Sequence, residues 1–326
     1  MSTASDTPRV VHDEHGGVRA LIKLARPHQW SKTAFVFVGP AYAAQAAPDW
    51  DWPVVIAAVL LTAAAFCLAS SGCYVFNDVS DVERDRLHPR KRTRPIASGA
   101  ISQAAAVRFG VGLLAGAVVL GVLVPGGGRW WVLGLLGFYV ANVTAYSISF
   151  KQRAIVDVMS LSIGFVVRVG AGCAAVGVAP TTWLLNVTLF LAMTLAIGKR
   201  LGERRTADSK ADAVAIRGVQ RAYSDDVLRM LLVVSAVATL MTYAAYVVTR
   251  QDDYGIGGFN LLWLTMLPAT YVLLRAIMLL ERGRYDDPTE LAVGDRPFQL
   301  AATVFGAITV GLIAYGWYMG GVESGG

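Results

Sequence analysis

Long apolar runs separated by polar segments dominate the chain from residue 33 onward. Each run is close to the roughly 17–25 residues that an α-helix needs to cross the hydrocarbon core of a bilayer. Runs this long and continuous do not suit the tilted strands of a membrane barrel. The pattern therefore predicts an all-α, polytopic membrane protein that is a bundle of nine transmembrane helices. The predicted spans cover residues 33–49, 53–75, 101–124, 129–148, 154–178, 183–198, 228–249, 257–280 and 297–319.

The composition supports a membrane protein. Hydrophobic residues make up 55% of the chain and charged residues 16%, against about 25% charged residues in a typical soluble domain. Residues 1–20 are polar with mixed charge, and they lack the apolar stretch of a signal peptide. We predict a disordered tail over 1–20 that leads into a short interfacial helix near 18–23. An intramembrane domain over 21–320 and a C-terminal tail over 321–326 complete the prediction.

The distribution of basic residues predicts the orientation of the chain. With a cytoplasmic N-terminus and nine spans, the inner segments hold 24 of the 29 Lys and Arg residues when Arg229, at the start of the seventh span, is counted with its adjacent loop. Such an excess marks the cytoplasmic loops of multi-pass proteins. The inner loops are also the longer ones, so we expect catalytic loops at the cytoplasmic face of the cell (inner) membrane. The net charge of +6 follows from this bias and requires no nucleic-acid partner.

An acidic segment over residues 77–85 follows the second predicted span. On a helix, Asn77, Asp81 and Asp85 fall at i, i+4 and i+8 and share one face, with Asp78 close by. A hard divalent cation, typically Mg²⁺, neutralises such carboxylates with oxygen ligands and leaves positions for phosphate. The alternative is a solvated, charged loop at a helix end. A basic run beside the segment would complete a diphosphate site, with Arg86, His88, Arg90, Lys91, Arg92 and Arg94.

A second group of hydrogen-bond donors precedes the first predicted span, over residues 26–32. Arg26, Gln29 and Lys32 are candidate ligands for a phosphorylated substrate. The alternative is an interfacial anchor, with Trp30 at the level of the lipid headgroups and Lys32 extending to water. An anchor explains Trp30, but it does not explain the density of donors.

Polar side chains around the fourth and fifth spans provide further candidates. Tyr146 and Lys151 close the fourth span, although both also suit an ordinary inner interface. Asp157 and Arg168 lie within the fifth span, where ionisable residues usually face a polar cavity or one another. Their separation of eleven residues is close to three helical turns, so they project from similar sides. We favour Arg168 as a substrate ligand and Asp157 as a residue that orients a cationic neighbour.

The polar residues at the end of the sixth span form a helical pattern. Lys199, Arg200 and Glu203 fall at spacings that let them meet on one face, and they are candidate substrate ligands. In the last inner loop, Asp295 is a plausible cap for the ninth helix, whose first turn suits Pro297. That role for Asp295 is structural.

These segments together resemble a known superfamily. The Asn-Asp-x-x-Asp-x-x-x-Asp stretch at 77–85, nine spans and inner-face chemistry resemble the UbiA-type intramembrane prenyltransferases. A narrower resemblance is to the decaprenyl-phosphate phosphoribosyltransferase branch of that superfamily. Three stretches carry it: Arg-Pro-x-Gln-Trp-x-Lys at 26–32, the acidic motif with its basic continuation to Ala97, and Gly-Lys-Arg-x-x-Glu at 198–203.

The narrower resemblance implies a Mg²⁺-dependent membrane phosphoribosyltransferase. Such an enzyme transfers 5-phosphoribosyl from phosphoribosyl diphosphate to a polyprenyl (decaprenyl) phosphate and releases pyrophosphate, for arabinan precursors of the cell wall. The implied partners are these two substrates and the membrane, and a homo-oligomer is compatible with the sequence. The resemblance implies catalytic roles for Asp78, Asp81, Asp85 and Lys32. It implies substrate contacts for Arg26, Gln29, Lys91, Arg92, Arg94, Tyr146, Lys151, Arg168, Lys199, Arg200 and Glu203.

One departure favours the narrower resemblance. Quinone- and haem-modifying members usually carry a second aspartate-rich motif after the sixth span, which helps to hold a prenyl diphosphate. Here that loop opens with basic residues, and only Asp208 and Asp212 have a comparable spacing. A basic second site suits a substrate that is itself a lipid phosphate. The alternative function is a prenyltransferase that joins a prenyl diphosphate to an aromatic or other small acceptor.

A transporter is the alternative from a different class, because charged residues within spans can mark ion pathways. Transporters often show internal repeats and discontinuous helices near the membrane midplane. In this chain the polar residues concentrate in the inner loops. This distribution favours catalysis at the membrane interface.

Overall fold

The computed structural model describes residues 14–44, 50–88, 91–205, 223–282, 284 and 294–324. The α-helices are α1 (Glu14–Ala25), α2 (Phe35–Ala43), α3 (Trp52–Ser80), α4 (Val82–Leu87), α5 (Gln103–Leu123), α6 (Arg129–Ile148), α7 (Val156–Ala175), α8 (Thr182–Arg205), α9 (Asp225–Thr249), α10 (Gln251–Tyr254), α11 (Met266–Glu281) and α12 (Arg296–Ser324). Short 3-10 helices cover Pro27–Ala34, Lys91–Thr93, Phe150–Gln152 and Leu261–Thr265. The strands β1 (Gly255–Ile256) and β2 (Phe259–Asn260) pair antiparallel.

Eight helical segments of the described chain are long and apolar enough to cross a bilayer. They coincide with the second to ninth predicted spans, so the all-α, polytopic class is confirmed, whereas the count of nine is not. The segment predicted as the first span forms the nine-residue helix α2. Gly39 and Pro40 lie inside α2, and both residues disfavour a long continuous helix. Residues 45–49 of that predicted span lie outside the described residues.

The ends of several elements differ from the predicted boundaries. Helix α1 begins at Glu14, so part of the tail predicted over 1–20 is helical. Its exposed apolar side chains include Val18 and Ile22, as expected for an interfacial helix. Helix α8 continues to Arg205, seven residues past the predicted end, and α12 continues to Ser324. The single domain over 21–320 stays a prediction.

The chain divides into two compact units. The first unit comprises Met1–Ser31 and Cys67–Ala117, and its described elements include α1, α4, the second half of α3 and most of α5. Helices α3 and α5 approach closely because small residues face the contact. A Cβ atom added at Gly72 would lie 2.9 Å from the Leu114 side chain. The buried core of this unit consists of Leu24, Val75, Val82, Ile96, Ile101 and Ala106.

The second unit comprises Lys32–Phe66 and Val118–Gly326 and contains the longer part of the bundle. Within it, α7 packs against α2, α6 and α8, and α8 packs against α9. The α2–α7 contact leaves no room for a side chain at Gly172, where a Cβ atom would overlap the backbone oxygen of Val36. A core beside the C-terminal end of α8 and the N-terminal ends of α7 and α9 consists of Val158, Ala196, Ile197, Leu201, Tyr223, Leu228 and Leu232.

Candidate active site

Four charged side chains of the first unit form one network, which we call the carboxylate–guanidinium cluster: Arg26, Asp78, Asp85 and Arg94. The Nη2 atom of Arg26 lies 2.6 and 2.8 Å from the two carboxylate oxygens of Asp78. The Nη1 atom of Arg94 bridges the two acids, 3.0 Å from Asp78 Oδ1 and 2.6 Å from Asp85 Oδ2. Both carboxylates are buried, whereas both guanidinium groups are partly exposed. Two positive and two negative charges make the cluster electroneutral.

Helical hydrogen bonding sets the register of the acidic segment. The Asp81 N–H donates to the Asn77 carbonyl at 3.0 Å, and the Asp85 N–H donates to the Asp81 carbonyl at 2.8 Å. The three residues therefore follow on successive turns from α3 into α4, as their spacing predicts. The side chains have different surroundings, because Asp85 is buried on Arg94 whereas Asp81 is partly exposed, 4.0 Å from Arg84.

Arg26 is held by the junction between α1 and the following 3-10 helix. Its φ is +53°, a left-handed value that is uncommon for a residue with a side chain. Ser71 fixes this junction, since its hydroxyl donates to the Ala25 carbonyl at 2.6 Å and accepts from Trp30 Nε1 at 3.0 Å. The Arg26 guanidinium also lies 5.1 Å from the centre of the Tyr74 ring. Trp30 thus has a structural hydrogen bond in addition to the interfacial role predicted for it.

The other first-unit candidates lie around this network. The Tyr74 hydroxyl approaches the Gln29 side-chain oxygen at 3.5 Å. Lys91 and Arg92 lie on the 3-10 turn that precedes Arg94, with Lys91 half-buried and Arg92 exposed. The Lys91 N–H donates to His88 Nδ1 at 3.4 Å.

The predicted metal ligands Asn77, Asp81 and Asp85 follow on successive helical turns, but Asp81 and Asp85 have different ionic neighbours. Among the described residues, no group of three or more His, Cys, Asp or Glu side chains is arranged to hold a metal ion. Arg94 forms ion pairs with both Asp85 and Asp78. Asp78 is the residue after Asn77 and is not part of the set that the helical spacing predicts. The ligand set of Asn77, Asp81 and Asp85 stays a prediction.

A second network lies in the second unit, which we call the Arg200 cluster: Tyr146, Asp157, Arg200, Glu203 and Tyr223. Three groups accept from the buried Arg200 guanidinium: Asp157 Oδ2 at 3.1 Å, Glu203 Oε2 at 2.9 Å and the Tyr146 hydroxyl at 3.1 Å. Asp157 therefore orients a cationic neighbour, as predicted, and that neighbour is Arg200. Arg200 and Glu203 also contact each other on one face of α8, as their spacing predicts.

Tyr223 is a member of the Arg200 cluster that the sequence did not suggest. Its hydroxyl donates to Asp157 Oδ1 at 3.1 Å and accepts the Ile155 N–H. Burial raises the pKa of Tyr223, so the phenol stays protonated and keeps its donor. Ile155 has a φ of +68°, which is strained for a β-branched residue. The only local signal was a tyrosine shortly before an apolar run.

Arg168 donates its hydrogen bonds to groups other than Asp157, although their spacing predicts that the two residues project from similar sides. Its guanidinium donates to the Gly164 carbonyl at 2.8 Å and to the Tyr139 hydroxyl at 2.9 Å. It also lies 4.5 Å from the centre of the Tyr139 ring and 5.7 Å from that of Phe165. Within the described chain its buried Nε has no hydrogen-bond partner. Neutral groups thus surround this buried cation.

The three candidate lysines of the second unit are half-buried. Lys32 lies in the 3-10 helix over 27–34, Lys151 in that over 150–152, and Lys199 near the end of α8. Asp208 and Asp212 lie outside the described residues.

Similarity to known proteins identifies the family. Residues 33–302 match the model of the UbiA prenyltransferase family. The chain belongs to this family. Since UbiA prenyltransferases are enzymes and the described chain has eight apolar helices of spanning length, the protein is an integral, multi-pass membrane transferase. Membership in an enzyme family favours catalysis over transport.

Several UbiA relatives align along most of the chain. The decaprenyl-phosphate phosphoribosyltransferase of Mycolicibacterium smegmatis is 32% identical over 292 residues, or 87% of this chain and 89% of that protein. The protein of the same name from Mycobacterium tuberculosis is 31% identical over 304 residues, or 92% and 96%. A UbiA homolog from Archaeoglobus fulgidus, solved with GPP and Mg²⁺, has a TM-score of 0.62 at 18% identity and covers 92% of this chain and 98% of that one. This last likeness shows the fold alone.

Proposed function

We propose that the protein transfers 5-phosphoribosyl from phosphoribosyl diphosphate to a polyprenyl phosphate, such as decaprenyl phosphate, and releases pyrophosphate. The observation that carries this proposal is the nearly full-length similarity to relatives named decaprenyl-phosphate phosphoribosyltransferase. The product would be a precursor of cell-wall arabinan, made at the cytoplasmic face of the inner membrane. The positive-inside distribution of charge supports this orientation.

The carboxylate–guanidinium cluster suits a site for the donor diphosphate. Its buried carboxylates and the neighbouring Asp81 and Asn77 offer oxygen atoms, which are the ligands that Mg²⁺ prefers. A bound Mg²⁺ would stabilise the negative charge on the departing pyrophosphate. The planar guanidinium groups of Arg26 and Arg94 match the geometry of phosphate oxygens. Lys91 and Arg92, on the adjoining turn, are proposed to bind the phosphoribosyl group.

The basic residues of the second unit suit the phosphate of the acceptor lipid. We assign this role to Lys199, with Lys151 and Arg168 as further candidates. Arg200 has a different role, because its guanidinium is already bound to Asp157 and Glu203. It is a positioning residue that orders the inner end of α8.

The chemistry needs little proton transfer. A phosphate oxygen of the lipid bonds to the anomeric carbon as the bond from that carbon to the diphosphate breaks, and the bonding electrons leave with pyrophosphate. The acceptor is anionic near neutral pH, so no strong general base is required. Positioning and electrostatic stabilisation therefore supply most of the rate acceleration, and we propose Lys32 as a further cation that stabilises the transition state.

Incubation of the purified protein with labelled phosphoribosyl diphosphate, decaprenyl phosphate and Mg²⁺ tests the proposal. We expect a labelled lipid and an equal amount of pyrophosphate, and both products should disappear in Asp85→Asn. Release of pyrophosphate only with a prenyl diphosphate and a small acceptor would contradict the proposal. That second candidate function has the support of the family match.

A further inference from the structure

One nitrogen atom balances the two buried acids of the carboxylate–guanidinium cluster. Arg94 Nη1 lies within 3.0 Å of an oxygen of Asp78 and an oxygen of Asp85. Two buried carboxylates this close repel unless a cation lies between them. Arg94 supplies that cation from within the chain, and Arg26 neutralises the remaining charge of Asp78.

We propose that Arg94 is a built-in counter-cation that competes with a divalent metal ion for Asp78 and Asp85. It transfers to the diphosphate only when metal and diphosphate bind together. Free metal ion then binds weakly, and the metal–diphosphate complex is the species that the protein recognises. The inference rests on the proposed function only in requiring a diphosphate ligand, so it applies equally to a phosphoribosyl and a prenyl donor.

The charges explain why metal and diphosphate should bind together. The cluster is electroneutral, so a divalent ion alone would add two positive charges beside two arginines. Such charges repel strongly where little water screens them. A diphosphate that arrives with the metal cancels the added charge. It also offers Arg94 new anionic oxygens in place of the two carboxylates.

The two arginines of the cluster differ in how firmly they are held. Arg26 contacts both oxygens of Asp78, lies on the face of Tyr74, and sits in a backbone junction fixed by Ser71. Arg94 follows a short 3-10 turn, and its side chain is partly exposed. We therefore assign the exchange to Arg94, while Arg26 keeps Asp78 neutralised.

The experiment measures Mn²⁺ binding to the purified full-length protein in nanodiscs by electron paramagnetic resonance. Two ligands are compared, Mn²⁺ alone and the Mn²⁺–pyrophosphate complex. Arg94→Gln should bind Mn²⁺ alone about tenfold more tightly than wild type, and it should bind the complex about tenfold more weakly, as for one charge-assisted hydrogen bond. The control is Arg229→Gln, which removes a surface arginine paired with Glu281 and should change neither affinity.

A purely structural role of Arg94 would not change the affinities for Mn²⁺ and for its pyrophosphate complex in opposite directions. If Arg94→Gln binds Mn²⁺ alone no better than wild type does, or if both affinities move in the same direction, the inference is wrong. Wild type provides a test that needs no variant, since equal affinity for Mn²⁺ and for its pyrophosphate complex would also overturn the inference. Should Arg94→Gln fail to fold, Arg94→Lys keeps the charge but lacks the planar guanidinium group. We expect the two affinities to change in the same opposite directions in Arg94→Lys, but by smaller factors.

The outcome is independent of which group the enzyme transfers. Pyrophosphate is common to phosphoribosyl and prenyl diphosphates, so the reversal would persist if the enzyme proved to transfer a prenyl group. In that case the product assay alone would contradict the proposed function. Phosphoribosyl transfer without the reversal would leave the proposed function standing and remove the role inferred for Arg94.

Discussion

The two charged networks of the protein use the same residue types but differ in the exposure of their arginines. In the carboxylate–guanidinium cluster, the side chains of Arg26 and Arg94 are 20% and 26% exposed, although their acids are nearly fully buried. In the Arg200 cluster, Arg200 is 2% exposed and Asp157 is fully buried. A partly exposed arginine can exchange a carboxylate for a ligand phosphate. A fully buried arginine stays in place, because its release would leave an uncompensated buried charge.

We interpret this difference as separating the proposed ligand site from a network that holds helices together. Both networks contain a carboxylate on a membrane helix beside a basic stretch, and from the sequence both were candidates for substrate contact. The burial of Arg200 and its three hydrogen bonds support the structural role that we propose for it. The five predictions below test the distinction, from the largest expected change in free energy to the smallest.

Removing the buried acid of the Arg200 cluster should have the largest effect. Asp157→Ala leaves the Arg200 guanidinium without its buried partner, which typically costs about 3–5 kcal/mol of stability. Unfolding of the purified protein in detergent measures the loss. The control is Asp226→Ala, which breaks the exposed pair with Arg229 and should cost only about 0–1 kcal/mol. Equal losses in the two variants would show that the Arg200 cluster is not a buried structural pair.

Neutralising an acid of the carboxylate–guanidinium cluster should affect activity and not folding. Asp85→Asn preserves the shape of the side chain but removes the charge needed for a metal ion, so we expect activity to fall about a hundred- to a thousandfold. We expect Asp81→Asn also to lose most activity. Initial rates across a Mg²⁺ titration, together with unfolding curves, measure both effects. Glu83→Gln, on the exposed side of α4, is the control. Full activity of both Asp variants would refute the metal assignment.

Two lysines should show opposite effects on the two substrates. Lys199→Ala should raise the apparent KM for polyprenyl phosphate about ten- to a hundredfold, which is the effect of losing one charge-assisted contact. The apparent KM for phosphoribosyl diphosphate should stay nearly unchanged. Lys91→Ala should raise the apparent KM for phosphoribosyl diphosphate and leave the apparent KM for polyprenyl phosphate nearly unchanged.

Asp208→Ala and Asp212→Ala should have small effects on activity. If these two abolish activity while Lys199→Ala does not, a second metal site exists and an ordinary prenyl-diphosphate transferase is the better interpretation.

Arg275, which pairs with Asp295, is a partly exposed arginine for which we predict a structural role. Asp295 accepts from Arg275 at 2.9 and 3.1 Å and caps α12 by accepting the Phe298 N–H at 2.9 Å. Asp295→Ala should cost about 1 kcal/mol of stability and leave activity unchanged. A loss of activity without loss of stability would contradict this structural role.

The same residue gives a pH dependence with a definite sign. The hydrogen bond from Arg275 lowers the pKa of Asp295 in the folded protein. The carboxylate therefore contributes stability above the ordinary pKa of about 4, and this contribution is lost as the pH falls through the lowered pKa. Melting temperatures of wild type and Asp295→Ala should converge as the medium is acidified below about pH 4. A constant difference would show that the ion pair contributes nothing.

Local patterns in the sequence predicted eight of the spans, the register of the acidic segment and the cap at Asp295. These features depend on residues within a few helical turns, where periodicity and hydropathy determine the outcome. Local patterns did not decide whether the first predicted span crosses the membrane, and they did not identify the groups that Arg168 contacts. In that span the sequence is apolar, but Gly39 and Pro40 disfavour a long helix. For Arg168, helical spacing gives the direction of the side chain but not the neighbour that it contacts.

The sequence by itself determined the class of the protein, its family and the segments that carry its charged chemistry. Only the tertiary structure decided which charges pair. Arg26 reaches Asp78 across 52 positions of the chain, and Tyr223 reaches Asp157 across 66. The physical reason is that apolar length and helical periodicity are local properties, whereas the partner and the burial of an ion pair depend on how separate helices pack. The same packing leaves Arg94 partly exposed and buries Arg200, and that contrast distinguishes the candidate site from its scaffold.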